Sequence, residues 1–138
     1  MDHVFKLTKP SEPLPLVYDS PHSGDIYPND FCYACDFSEL EQAEDKYVDN
    51  LFSDVINHGG TLLAAEFPRS YIDVNRAGDD IDVDLIDGNW PEIKFGPIDP
   101  SSRSDAGIGL IRRLVRPGVP VYDRTLTAEE ISRRINTY

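Results

Sequence analysis

The sequence predicts one α/β domain with a βαβ unit near its start. Three observations carry that expectation. A short apolar run from Leu14 to Val17 enters a turn made of Asp19, Ser20, Pro21, Ser23 and Gly24. An amphipathic pattern with three- and four-residue steps begins at Ser38, and a second apolar run, Thr61 to Phe67, opens directly after Gly59-Gly60. At 138 residues the chain has ordinary single-domain length, so residues 1–138 read as one α/β domain.

The elements follow in order. Lys9 to Pro15 is proline-punctuated and reads as extended; Leu14 to Val17 then reads as a buried strand. In the next segment Leu40, Ala43, Tyr47, Val48, Leu51, Val55 and Ile56 fall on one stripe, with acids largely between them. That is the pattern of one amphipathic helix, with Ser38 and Glu41 as a capping box and Gly59-Gly60 as the stop. Thr61 to Phe67 and Tyr71 to Val74 read as two strands separated by Pro68-Arg69, and a strand, helix, strand order favours parallel pairing. From Ala77 to about Pro120 glycine, proline and aspartate predict a long irregular excursion, in which only Ile108 to Val115 is apolar enough for a strand. Thr127 and Glu130 form a second capping box, and Ile131, Arg134 and Ile135 continue in helical spacing towards Tyr138.

Composition narrows the function. A net charge of −12 and a pI near 4.4 oppose a phosphate-tracking or anionic-lipid surface, so neither nucleic acid nor membrane is an expected partner. The apolar runs fall short of the ~18 residues a membrane span needs. The first residues lack the basic start and apolar stretch of a signal peptide, which makes the cytoplasm the expected location. Two cysteines, Cys32 and Cys35, are too few to staple a secreted fold.

Three segments hold residues that can carry chemistry. His22, in Ser20-Pro21-His22-Ser23-Gly24, follows the first strand at the end where open parallel sheets place ligands; it suits metal binding or proton transfer, or simply a loop hydrogen bond. Glu44 and Asp45 are adjacent acids, and helical neighbours diverge by about 100°, so at most one enters a site. Asp45 also stacks with Glu41 and Asp49 at four-residue spacing, which asks for a cation or for solvent. Arg69 and Arg76 bracket a predicted strand from which Asn75-Arg76 emerges. They suit an anion clamp or pairing with nearby aspartates.

Other signals are weaker. Cys32 and Cys35 have redox spacing without a clear helix start behind it. Asp79, Asp80, Asp82, Asp84 and Asp87 resemble a calcium loop, but Leu85 stands where its glycine belongs, and alternation with Ile81 and Val83 favours an exposed strand. His58 is placed at a helix C-terminus, and His3 lies near the chain start.

Pro21-His22-Ser23-Gly24, Glu44 to Leu51 and Arg69 to Arg76 together resemble the N-formylglutamate amidohydrolase (N-formylglutamate deformylase) family, in order as well as in spacing. The likeness continues through Gly107 to Ile111 and Val121 to Thr127. It implies a three-layer α/β/α sandwich on a mixed sheet, similar to zinc carboxypeptidases and aspartoacylase, of which this chain is the N-terminal part. It also implies zinc-dependent cleavage of an N-acyl amide on an acidic amino acid. On the resemblance, His22 and Asp45 are zinc ligands, Arg69 polarises the scissile carbonyl, and Asn75 and Arg76 grip a substrate carboxylate. Family members continue past the segment matched by Thr127 to Tyr138. The resemblance puts a further histidine ligand and the general base in that continuation, so the zinc site expected here is incomplete.

Two other classes stay open: a non-catalytic binding domain that keeps the anion clamp, and a thiol-redox module using Cys32 and Cys35. An apolar face left uncovered by a partial fold predicts a homo-oligomer.

Overall fold

The structure, a computed structural model, describes residues 4–138; the expectation for His3 lies outside them. Its main sheet holds β1 (Phe5–Thr8), β2 (Val17–Ser20) and β3 (Thr61–Ala65), in the order β1-β3-β2. β2 pairs parallel with β3, Val17 opposite Thr61 and Ser20 opposite Ala64. β1 pairs antiparallel with β3 on the other side, Phe5 opposite Ala65. The parallel pair is the expected βαβ unit, and β1 makes the sheet mixed. The run from Leu14 to Val17 begins the strand only at Val17, because Pro15 has no N–H for a ladder and Leu16 instead bonds Leu14 in a tight turn at 2.7 Å.

The expected single helix is broken. The crossover consists of α1 (Phe37–Leu40), a 3-10 turn over Glu41–Ala43, α2 (Val48–Leu51) and a 3-10 stretch over Ser53–His58 that ends at Gly59 with φ 83°. Ser38 lies inside α1, whose N-cap is Asp36. The chain leaves helical geometry at Glu44, with φ −85° and ψ 143°, and re-enters through Tyr47 at φ 65°. Three acids at four-residue spacing repel along an intact helix. The break separates them: Lys46 pairs with Glu41 at 2.6 Å, Glu44 turns inward to the Tyr27 hydroxyl, and Asp45 turns to His22. The apolar stripe is correspondingly lost beyond it, and Leu51 is 77% exposed.

Cross-strand register assigns the sheet faces. Leu62, Ala64 and Ser20 are buried on one, where Tyr18 also stacks on Phe52 of the crossover at 6.1 Å. The other carries Phe5, Leu7 and Val17, which stay 57%, 45% and 63% exposed.

Tyr71 to Val74 is not a strand. Tyr71 N–H bonds Pro68 O at 2.9 Å, and Asp73 accepts the N–H of Asn75 on its side chain and that of Arg76 on its carbonyl, which curls the chain into turns. The aspartate-rich segment is not an exposed strand either. Burial there has no two-residue period: Asp80, Ile81 and Asp82 are all buried, Val83 and Asp84 are exposed, and Val83–Leu85 is a 3-10 turn capped by the Asp82 side chain. Asp80 accepts Ser101 N–H at 2.7 Å and the Ser101 and Ser104 hydroxyls at 2.9 and 2.6 Å, fastening the excursion to α4 (Ser102–Asp105). A further short helix, α3 (Glu92–Phe95), precedes α4. Within the apolar run from Ile108 only its end is extended, as β4 (Leu114–Arg116) paired with β5 (Val119–Pro120).

Burial alone raises the Asp80 carboxyl, but its hydrogen bonds outweigh that and hold it below its ordinary 3.8. A carboxyl depressed in the folded state contributes stability above its unfolded value, and that contribution disappears as pH falls through the folded one. Asp80→Asn is therefore expected to cost about 1.5–3 kcal/mol at pH 7 and to flatten the acid limb of stability below about pH 4, read from urea midpoints between pH 7 and 3.

α5 (Ala128–Thr137) starts as expected, with Thr127 Oγ1 accepting Glu130 N–H at 3.2 Å. It buries Ile131 against the core of Phe31, Leu40, Tyr71, Leu85, Ile111 and Leu126. Arg134, fully buried, lies 4.1 Å from the Tyr71 ring centroid.

Candidate functional site

His22 follows β2 at the C-terminal end of a parallel strand. Its backbone is pinned by Gly24: a Cβ there would lie 2.4 Å from Phe67 O and 2.5 Å from Glu66 C, and Ile26 N–H bonds Glu66 O at 2.9 Å. The Pro-His-Ser-Gly turn therefore lies flush against the exit of β3. Backbone atoms at that distance cannot move aside as a side chain can, so Gly24→Ala is expected to cost about 1–3 kcal/mol, measurable by urea denaturation.

The break at Glu44 brings Asp45 to this turn. Asp45 N–H bonds His22 O at 3.1 Å, and Asp45 Oδ2 stands 3.2 Å from His22 Nδ1. On the other ring edge His22 Nε2 meets Asp73 Oδ1 at 2.8 Å. Arg69 spans both acids, donating from Nη2 to Asp73 Oδ2 at 2.9 Å and from Nη1 to Asp45 Oδ2 at 3.4 Å. Arg76 Nε is 3.9 Å from Asp73 Oδ2. Four of the five expected residues, His22, Asp45, Arg69 and Arg76, thus gather around Asp73. Asn75 joins only through its N–H to Asp73 Oδ1 at 3.1 Å, with its side chain exposed.

Asp73, with 0% exposure, is the hub that sequence reasoning missed. Burial raises its carboxyl, but the hydrogen bonds from His22 and Arg69 and the Arg69 charge outweigh this and hold it well below the usual range. A usable signal was present: an acid four residues after one arginine and three before another is a local ion-pair pattern. Arg112, 8% exposed, was also missed; Arg69, Asp73, Arg76 and Asp45 are its charged neighbours.

The donor set can be tested against zinc. Asp73 is ionised and can only accept, so a neutral His22 donates from Nε2 and is left with a lone pair at Nδ1. That lone pair then faces the Asp45 carboxylate, a contact that either a metal cation or a second ring proton satisfies. The carboxylate behind the ring is the usual support of a metal-bound imidazole. His22 and Asp45 therefore fit as two zinc ligands, but Asp73 cannot be a third for the same ion because it meets the opposite ring edge. Among the described residues no three His, Cys, Asp or Glu side chains group as a metal site.

The remaining candidates stand apart. His58 is exposed and bonds Asp54 at 3.1 Å. Cys32 and Cys35 are free thiols, and burial raises that of Cys35, which opposes thiolate chemistry.

Fold and cluster define a class: a mixed α/β protein in which a histidine, two carboxylates and several arginines gather in one ion cluster at the end of a parallel strand pair. A sequence profile of the family described as N-formylglutamate amidohydrolase matches residues 14–138. The crystal structure of N-formylglutamate amidohydrolase from Ralstonia eutropha JMP134 is similar at 48% identity and TM-score 0.90, over 98% of this chain and 47% of that one. The chain belongs to the N-formylglutamate amidohydrolase family, and it spans about half the length of that relative. No curated protein matches it significantly. Among the described residues no helix is long and apolar enough to cross a membrane.

Proposed function

We propose that this chain carries part of the site of a zinc-dependent amidohydrolase acting on the N-formyl, or another N-acyl, amide of an acidic amino acid such as N-formylglutamate. The observation behind it is the convergence of His22, Asp45, Arg69 and Arg76 on Asp73 in a member of this family. His22 Nδ1 and Asp45 would hold the metal, with Asp73 fixing the imidazole from behind. Zinc, when bound, acidifies water and draws charge from a carbonyl. Arg69, already oriented by two carboxylates and with an unpartnered Nε, stabilises the charge that develops on the formyl oxygen. The Arg76 side chain makes no hydrogen bond to the described residues beyond its ion pair, so its fork is free for a substrate carboxylate, beside the exposed Asn75 side chain. Addition of water to the formyl carbon and cleavage of the C–N bond release formate and the amino acid.

The same reading makes the sheet the N-terminal portion of a three-layer α/β/α sandwich of zinc-carboxypeptidase type, residues 1–138 an incomplete domain, and the cytoplasm its compartment. Two donors make a weak zinc site, which supports a second reading, a binding domain that keeps the fold and the anion clamp but not hydrolysis. Zinc analysis and hydrolysis of N-formyl-L-glutamate separate them. Stoichiometric zinc lost in His22→Ala, with formate release, supports the amidohydrolase; neither zinc nor formate release sinks catalysis by this chain. The exposed Phe5, Leu7 and Val17 face supports self-association, and light scattering should find a dimer or larger assembly; a clean monomer counts against it.

A further inference from the structure

Arg112 and Arg113 are neighbours with opposite fates. Arg113 donates from Nε to Asp82 at 2.7 Å and reaches Asp84 at 3.7 Å, a complete set of structural partners. Among the described residues no carboxylate forms an ion pair or hydrogen bond with Arg112. Its one hydrogen bond is from Nη1 to Val115 O at 3.3 Å, and its buried Nε has no acceptor. The segment is tied to the site, since Asp73 N–H bonds Leu110 O at 2.7 Å.

The charge balance at Arg112 is uneven. Its two neighbouring guanidinium groups, Arg69 and Arg76, already pair with the carboxylates Asp45 and Asp73, with Asp80 a third acid acting on Arg76, and each of the three arginines has an Nε without a hydrogen-bond acceptor among the described residues. An arginine does not shed its proton on burial, so the Arg112 charge is permanent. Burial and the charge of Arg69 both act against it. A buried charge that lacks a counter-charge is costly unless something else supplies one. Its nearest acids, Asp45 and Asp73, are bonded to His22 and Arg69 and form no ion pair with it, which makes an external anion the fitting partner.

We propose that Arg112 is a specificity-determining residue that pairs with the second carboxylate of a dicarboxylic substrate, leaving the first to Arg76. This rests on the proposed acidic amino-acid substrate and deepens it: a site with one anion clamp accepts any N-acyl amino acid, whereas one with two selects the dicarboxylates.

The test uses the whole chain and two probes, glutarate and its monocarboxylate analogue butyrate, with binding read by calorimetry and thermal shift. The wild type should bind glutarate better than butyrate, and Arg112→Met should lose about tenfold or more of glutarate affinity while butyrate binding is unchanged. Arg113→Gln should keep the preference, and Arg112→Lys should retain part of it. Without ligand, Arg112→Met should unfold at the wild-type temperature or above, because it removes an uncompensated buried charge. An unchanged preference in Arg112→Met, a ligand-free loss of stability as large as that of an Arg134 variant, or no glutarate preference in the wild type would each overturn the assignment. Hydrolysis of N-formyl-L-glutamate is scored separately. An Arg112-dependent preference without hydrolysis keeps this inference and removes the amidohydrolase; hydrolysis with an unchanged preference does the reverse.

Discussion

Replacing Asp73 by alanine is expected to destabilise the fold by about 3–5 kcal/mol, the cost of removing one member of a buried, hydrogen-bonded ion cluster. Its Oδ1 accepts from His22 Nε2 and Asn75 N–H, and its Oδ2 accepts from Arg69 at 2.9 Å, with Arg76 at 3.9 Å. Alanine removes these acceptors together. It frees the imidazole from its carboxylate on the Nε2 side and leaves Arg69 and Arg112 with the exposed Asp45 and Arg76 with Asp80. Against a typical total stability of about 5–15 kcal/mol, that loss approaches half or more in the less favourable case. Urea should be the denaturant, because guanidinium chloride screens the charges being measured. Asp73→Asn keeps the shape but offers an NH2 where donors already crowd, so it should fall between alanine and wild type. Formate, added at high concentration, should recover part of the alanine variant's loss by supplying the missing anion. An Asp73→Ala protein within about 1 kcal/mol of wild type would show that the carboxylate does not compensate the cluster.

The parts of the fold legible in the sequence were those governed by local chemistry. The Thr127 cap, the Gly59 stop and the strand from Thr61 each depend on residues within a turn or two of themselves, and each stands where the pattern put it. What failed was decided by contacts distant in sequence. The helix from Ser38 breaks because Glu44 finds Tyr27 and Asp45 finds His22, partners 17 and 23 residues away. Asp80 and Asp82 are buried because Ser101, Ser104 and Arg113 supply donors 21 to 31 residues on; without those donors the alternation from Asp79 rightly reads as an exposed strand. β1 escaped notice because Phe5–Thr8 is a four-residue edge strand that β3 alone recruits. The site was legible as residue types in the right order, and the resemblance joined them. Their common partner was not, because Asp73 read as an ordinary strand residue between two arginines.

Arg134 carries the second large effect, and it concerns the core. The charged head is fully buried, donating from Nη1 to Tyr122 Oη at 2.7 Å and to Tyr71 O at 3.1 Å, and from Nη2 to Glu130 Oε1 at 2.7 Å. It stacks over the Tyr71 ring, with Phe31 and Tyr122 at 5.7 and 5.6 Å. Unlike Arg112 it is compensated, so its removal leaves debts behind: a buried tyrosine hydroxyl, a backbone carbonyl and an emptied aromatic box. Glu130 keeps Arg124 at 2.9 and 3.0 Å, which limits the loss on that side. Arg134→Met is expected to cost about 3 kcal/mol, or a fall on the order of 10 °C in Tm, and Arg134→Lys should recover little because a point charge cannot serve three acceptors and a ring face together. Tyr122→Phe alone removes one hydrogen bond and should cost about 1 kcal/mol. Burial pushes that hydroxyl up to about 12, so it stays protonated at neutral pH and the pair is a neutral–cation bond rather than a salt bridge. In the double variant the two costs should sum to more than the combined loss, since Arg134→Met already forfeits the Tyr122 bond, and the cycle isolates that shared bond. Strict additivity would mean that the two side chains stabilise the core independently, contrary to the contact at 2.7 Å.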